Sequence, residues 1–209
     1  MSEYLWAATT GIVSDYNLDD SKDLVEAAKK KYKIEKPLYD SFFGRIADMI
    51  SAARATKMLS CEEMVELFLK VNDPQKLEDV RGGDKLIRAY QEIENETLSI
   101  MLDAEKNIDK SGKIVVYNLK STYNLISPIS TKISEKYHDK LVIVYTKTGK
   151  TIKVSARNQK KNMNAGKIMQ LATRGLKAAG GGHEAAAGAT VDEKDWEKFM
   201  EKVKELANK

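Results

Sequence analysis

The residues with the clearest capacity for chemistry are Gly180-Gly181-Gly182-His183, which precede Glu184 and the small residues 185–188. Consecutive glycines let a backbone approach a ligand closely and adopt positive φ without a Cβ clash. A histidine can offer an anion a hydrogen bond or a positive charge. Residues 140–183 contain ten Lys or Arg and no Asp or Glu. A glycine-rich turn with a histidine, ending an acid-free basic stretch, is typical of a phosphate site, and nucleic acid is the partner that such charge favours.

The composition of the chain limits the remaining possibilities. It has 209 residues and a net charge of +4, but residues 1–139 balance to −4, with 20 basic and 24 acidic side chains. No stretch approaches the roughly 18 apolar residues of a membrane span, so no membrane partner is expected. The single cysteine, Cys61, forms no internal disulfide and suggests a reducing, cytoplasmic location. Two histidines and one cysteine cannot build a usual structural zinc site.

The elements that must position these residues change type along the chain. Residues 1–17 suggest a short apolar segment, Leu5 to Ala8, followed by a turn at 9–11. Helical spacing then predicts helices over 22–32, 38–58, 61–71 and 84–107. Ser60 with Glu63 three residues later predicts a capping box at the start of the third. The first half is therefore expected to be mostly helical.

The periodicity changes after Ser111. Strands are predicted at 113–118, 141–145, 151–155 and 185–191, and helices at 127–137, 165–176 and 192–207. Residues 147–150 contain a glycine between two strand patterns, which indicates a hairpin. The predicted fold class is α/β, with a helical region at 1–111 and a small mixed-sheet α/β domain at 112–209.

This order of elements, with Ser155-Ala156-Arg157 ending a strand and the Gly180–His183 motif following a helix, resembles one family over about residues 112–207. That family is the DHH-associated domain, the C-terminal substrate-binding half of the DHH phosphoesterase superfamily, which includes the RecJ single-strand exonucleases. The resemblance implies that Arg157, Gly180, Gly181, Gly182 and His183 grip substrate phosphates, and Ser155 can add a hydroxyl donor. Secondary contacts are expected from the basic residues Lys153, Lys160, Lys161 and Arg174.

The N-terminal half departs from the family pattern. A complete member first carries an Asp-x-Asp motif, a lone aspartate and the Asp-His-His motif, which bind two manganese ions. Only the last catalytic motif has a counterpart, Gly11 to Asp15, so Asp15 is a candidate metal ligand; the alternative is a turn or N-cap aspartate. One carboxylate cannot hold two metals. No cofactor is therefore expected for the chain as it stands, and manganese or magnesium is expected only in a completed site.

The chain thus resembles the back half of a RecJ-like protein, starting inside the catalytic domain at its last motif. Short, catalytically incomplete relatives occur in archaea in the replication-fork complex that contains GINS. This makes GINS, replicative-helicase components or a DHH-bearing subunit candidate partners.

Three functions follow as hypotheses. The favoured one is a non-catalytic subunit for DNA replication or repair that binds single-stranded DNA or RNA, because the phosphate motifs are intact and the metal ligands are missing. The second is half of a manganese-dependent 5′ exonuclease or oligonucleotide phosphodiesterase, completed by a missing DHH half. The third is a replisome scaffold whose helical half docks other proteins. As it stands, the chain is expected not to be an enzyme.

Overall fold

The computed structural model describes residues 4–15 and 17–208. The chain forms two compact units that divide between Asn95 and Glu96. The division falls inside a long helix, Gly83–Asn107. The sequence predicts a domain boundary between residues 111 and 112, which is in the turn before the second strand of the sheet. That domain boundary stays a prediction.

The first unit is helical, as predicted. Its helices are α1 (Leu5–Ser14), α2 (Lys22–Tyr32), α3 (Phe42–Thr56), α4 (Cys61–Phe68) and the first part of α5 (Gly83–Asn107), with 3₁₀ turns at Asp19–Ser21, Leu38–Asp40 and Pro74–Asp79. The capping box of α4 is confirmed, because Ser60 Oγ accepts the Glu63 N–H and the Glu63 carboxylate accepts the Ser60 N–H.

The predicted turn at residues 9–11 is wrong, because α1 continues through it. Trp6, Thr9, Thr10 and Val13 are spaced three or four apart and are all buried. Thr9 Oγ1 donates to the Leu5 carbonyl at 2.7 Å. Burial of this face stabilises the helix although the segment contains a glycine and β-branched residues, which are weak helix formers.

The second unit is built on the predicted mixed sheet. Its strands are β1 (Asp109–Ser111), β2 (Ile114–Asn118), β3 (Leu141–Thr148), β4 (Thr151–Arg157), β5 (Ala178–Gly182) and β6 (Ala186–Asp192), in the order β1-β2-β3-β4-β6-β5. Strands β2 and β3 are parallel, and the other neighbours are antiparallel. The helices are α6 (Ile126–Lys136), α7 (Ala165–Ala172) and α8 (Trp196–Asn208).

The two faces of this sheet differ in character. The back face carries Ile152, Val154 and Ala156 of β4 with the buried positions of β6, and it packs in one core with α7 and α8. Because side chains alternate along a strand, the residues between these point to the front. Helix α6 packs on the front of β3 and β4. The front face therefore holds Ser155 and Arg157.

The three glycines of the sequence motif form part of a strand, so the predicted turn at this position is wrong. Residues 180–182 pair with 187–189 of β6, and the turn itself is His183–Ala186. Glycine is depleted in strands, which is why the pattern did not suggest β5. Here the strand needs glycine for close packing: a Cβ at Gly182, whose φ is +145°, would lie 2.6 Å from the Ala186 carbonyl oxygen.

Candidate phosphate-binding site

Strand β4 brings three of the predicted residues to one face. Lys153, Ser155 and Arg157 occupy alternate positions, so their side chains share the front of the sheet. Ser155 lies opposite Gly188, which lies opposite Gly181 on β5, and Arg157 lies opposite Ala186. On this side of β4, strands β6 and β5 therefore present a floor of small residues, and a Cβ built on Gly181 meets no atom within 4 Å.

Arg157 is held by neutral oxygen atoms. Its guanidinium donates to Ser127 Oγ at 2.8 Å, to the Ala156 carbonyl at 3.0 Å and, more weakly, to Thr131 Oγ1 at 3.4 Å. No carboxylate of the described residues forms an ion pair with it. Partial burial lowers the pKa of Arg157 from its usual value, because desolvation disfavours the charged form. An anion arriving at this face would supply the missing counter-charge.

Ser155 is more enclosed than the sequence suggested, with 6% of its surface exposed. Its Oγ lies 2.9 Å from Ser130 Oγ, and Ser130 itself donates to the Ser127 carbonyl at 2.7 Å. Because a hydroxyl has one proton, Ser155 is the donor of the Ser155–Ser130 pair. The phosphate contact predicted for Ser155 stays a prediction, and it would require this bond to break.

The hairpin tip that carries His183 is fixed by the start of α7. The carbonyls of His183 and Glu184 accept the N–H groups of Gly166 and Ala165, at 3.0 and 2.9 Å. The His183 N–H bonds to the Ala186 carbonyl, while the imidazole is exposed. Hydrogen bonds alternate along an antiparallel pair, so the N–H of the preceding Gly182 points away from β6, to the outer side of β5 where α7 begins. The tip can therefore offer an anion a side chain and a backbone donor.

The secondary basic residues divide between the two ends of the sheet. Lys153 is exposed on the front face, and Lys160 and Lys161 are exposed just after the end of β4, beyond Arg157. Arg174 follows α7 and precedes β5, so it lies near the start of β5, at the opposite end from His183. The structure thus brings Lys160 and Lys161 to the end of the sheet that holds Arg157, and does not bring Arg174 there.

Asp15 lies in the first unit, exposed, at the C-terminal cap of α1. The described residues contain no group of three or more His, Cys, Asp or Glu that could hold a metal ion. The side chains present therefore do not fit the two-metal centre that the resemblance implies for a complete protein. A metal-binding role for Asp15 stays a prediction, and it needs ligands from outside the described residues.

Two features of the site were not predicted from the sequence. The first is a row of hydroxyls on α6, at Ser127, Ser130, Thr131 and Ser134, with the helical spacing of three and four. The row faces the end of β4 and the residues after it, and Ser134 Oγ accepts from Gln159 at 2.8 Å. The spacing was a readable signal for a helix face that contacts polar strand residues.

The second is Asn158, which is completely buried next to Arg157. Its amide donates to the Lys140 carbonyl at 3.0 Å, and its side-chain oxygen accepts the Met163 N–H at 3.1 Å. Its backbone N–H also bonds to the Ala185 carbonyl. Asn158 therefore ties together the end of β4, the segment before α7 and the hairpin tip. A single asparagine in a loop carries no pattern that would reveal this role.

Comparison with known proteins shows which family and which solved structures the chain resembles. The DHHA1 domain matches residues 83–209. RecJ from Thermus thermophilus in complex with Mg²⁺ superposes with a TM-score of 0.71 at 19% identity, over 99% of this chain and 34% of that one. The DHH domain of a member of a family of ribosomal proteins gives 0.69 at 16% identity, over 97% and 49%. A pGpG-specific phosphodiesterase from Vibrio gives 0.58 at 12%, over 89% and 66%.

These matches confirm the predicted resemblance to the C-terminal part of RecJ-like proteins of the DHH superfamily. The chain spans about a third to two thirds of the length of these structures. At such low identity the likeness establishes the fold. No curated protein matches the sequence. Among the described residues, no helix is long and apolar enough to cross a membrane.

Proposed function

The chain belongs to the DHHA1 domain family, and on that premise we propose that it binds single-stranded nucleic acid by its phosphates. The contact surface is the front of the sheet around Arg157, Gly181 and His183. Residues 140–183 supply a surrounding positive field, with ten basic and no acidic side chains. We assign it the role of a binding subunit in DNA replication or repair, acting without a complete nuclease site of its own.

The observation that carries the proposal is the setting of Arg157. The guanidinium is partly buried, held in place by hydroxyl and carbonyl oxygens, and faces a floor without large side chains. An arginine placed in this way keeps its full charge for an incoming ligand, and its planar fork suits a phosphate. Small residues beside it leave room for a sugar-phosphate backbone.

The test measures binding of an end-labelled single-stranded oligonucleotide to the wild type and to a double variant, Arg157→Ala with His183→Ala. The proposal expects the double variant to bind the oligonucleotide more weakly than the wild type. The affinity of the wild type should also depend more steeply on salt concentration. Circular dichroism should show that the two proteins have the same fold. Lys198→Ala, an exposed substitution on α8, is the matched control. Full affinity in the double variant would refute the proposed site.

A second candidate is one half of a metal-dependent exonuclease or phosphodiesterase. It is favoured by the coverage of the RecJ structures, which are bound to Mg²⁺ or manganese and extend well beyond the length of this chain. Here a DHH-bearing segment or subunit would supply the metal ligands, and Asp15 would join them. Incubation with manganese and a DHH half should shorten the oligonucleotide, and Asp15→Asn should abolish this. A fully active Asp15 variant would exclude that role for Asp15.

The protein partners are proposed on the resemblance to RecJ-like proteins alone. We propose GINS, replicative-helicase components or a DHH-bearing subunit, with the helical first unit as the docking part. Purified GINS mixed with the chain should coelute in size-exclusion chromatography. Separate elution at concentrations where the oligonucleotide binds would remove GINS from the proposal.

A further inference from the structure

A second concentration of positive charge lies in the first unit. Between residues 29 and 36 there are five lysines and one acid, Glu35, and we name the set Lys29, Lys30, Lys31, Lys33 and Lys36 the lysine cluster. The net charge of −4 over residues 1–139 conceals it, because acids elsewhere outweigh it. The cluster lies outside the acid-free stretch 140–183 and belongs to a different compact unit from Arg157.

The cluster covers the last turn of α2 and the segment after it. All members except the half-buried Lys29 are exposed. The Nζ of Lys31 lies 5.1 Å from the ring centroid of Tyr32. No carboxylate of the described residues pairs with Lys30, Lys33 or Lys36. The favourable interaction of cations with a helix C-terminus explains lysines in the last turn. It does not explain Lys36, which lies beyond the helix.

Lys33 has an unusual backbone conformation for its type. It follows the last residue of α2 with a φ of 53°, in the left-handed region. The Ile34 N–H bonds to the Lys29 carbonyl at 3.0 Å, which closes the helix end. Glycine is the usual residue at this position, because it adopts positive φ without a steric cost. Lys57, after α3, and Lys161 have the same conformation, so the chain keeps a lysine at three positions where the fold alone would favour glycine.

We propose that the lysine cluster is a second contact for the sugar-phosphate backbone of a single strand. This rests on the proposed function, since it assumes that the chain binds such a strand at Arg157. An anionic membrane is less well matched, because the only large apolar side chain exposed on α2 among the described residues is Leu24, at 36%.

The decisive experiment compares ligands of two lengths. The variant Lys30→Glu with Lys33→Glu and Lys36→Glu is measured against an oligonucleotide of about 20 nucleotides, longer than a single binding module occupies, and against a 5′-phosphorylated dinucleotide. The matched control is Lys194→Glu with Lys198→Glu and Lys204→Glu, which makes the same charge change on exposed positions around α8. Both triple variants are checked by thermal unfolding.

The cluster variant should bind the oligonucleotide at least about tenfold more weakly, with the slope of log K against log salt reduced by about 2, because three charges no longer neutralise phosphates. Its dinucleotide affinity should equal that of the control, since the proposed function places a dinucleotide at Arg157. Lys33→Gly should fold at least as well as the wild type and lower the slope by about 0.7. Equal oligonucleotide losses in the two triple variants, or no loss in either, would overturn the inference.

The outcomes also separate this inference from the proposed function. If Arg157→Ala leaves binding intact and the cluster variant loses it, the site at Arg157 is wrong and the strand binds the first unit alone. If only Arg157→Ala matters, the cluster is a solvated surface and the inference fails. Vesicles containing anionic lipid serve as a further probe. Cluster-dependent binding to vesicles, with oligonucleotide binding unchanged, would replace the nucleic acid by a membrane surface and refute the proposal.

Discussion

Replacement of Arg157 by alanine is the most direct perturbation of the proposed phosphate contact. The guanidinium donates to one hydroxyl at 2.8 Å and one carbonyl at 3.0 Å, and no carboxylate neutralises it among the described residues. A hydrogen bond to a charged group contributes about 1.5–3 kcal/mol. Losing one such contact with a phosphate should therefore weaken binding by roughly 10- to 150-fold at low salt. The salt slope should fall by about 0.7 for one phosphate that is no longer neutralised.

The folded state should tolerate the same change. Ser127, which accepts from Arg157, is exposed, so water can replace the lost donor. We expect the free energy of unfolding to fall by about 1 kcal/mol or less. Arg157→Lys separates charge from geometry, because it keeps the positive charge and loses the planar fork. Its salt slope should stay near that of the wild type, while its affinity lies between those of the wild type and the alanine variant.

The assay is a fluorescence anisotropy titration of a labelled single-stranded oligonucleotide over a series of salt concentrations, with thermal unfolding of each variant. Wild-type affinity and slope in Arg157→Ala would refute the reasoning, because the guanidinium would then contact no phosphate. A salt slope in Arg157→Lys as low as in the alanine variant would refute the separation of charge from geometry. A large loss of unfolding free energy would mean that the residue is structural.

Three further predictions concern the floor of small residues, the buried Asn158 and the Tyr117 hydroxyl on β2. Ala186→Leu, which adds bulk opposite Arg157, should weaken binding by about tenfold or more, whereas Ala179→Leu on the same face at the far end should not; equal losses would argue against the floor. Asn158→Ala should cost about 2–4 kcal/mol of unfolding free energy, because a buried N–H and a buried carbonyl lose their partners, and a denaturant titration measures this. The Tyr117 hydroxyl donates to Asp103 at 2.8 Å and lowers the pKa of that carboxyl. The stability that this hydrogen bond contributes is present above the unfolded pKa of Asp103 and is lost as pH falls through the lowered folded pKa. The difference in unfolding free energy between wild type and Tyr117→Phe should therefore shrink below about pH 4. A difference that stays constant with pH would contradict this prediction.

The sequence predicted the elements whose periodicity is strong and missed those that depend on contacts distant in sequence. Helices α2 and α5 and strands β3 and β4 have clear apolar spacing and were found. The three-residue β1 has no pattern of its own and exists because it pairs with β2. Helix α1 was missed because its residues are weak helix formers, and burial of Trp6 and Val13 against the rest of the unit decides its structure.

The site shows the same difference between features set by local sequence and features set by contacts distant in sequence. Arg157 was identifiable because it ends a strand in a recognisable motif, whereas its setting depends on α6, whose hydroxyls lie some 30 residues earlier in the chain. The glycines were expected to form a turn that holds a ligand. In the fold, Gly182 allows β5 to pack against β6, and Gly181 faces open space on the floor. The glycine motif therefore has a structural part and a binding part. Substitutions at Gly182 should lower stability, whereas larger side chains on the floor of small residues should weaken binding. A loss of binding after mutation of the motif is informative only when stability is measured in the same variant.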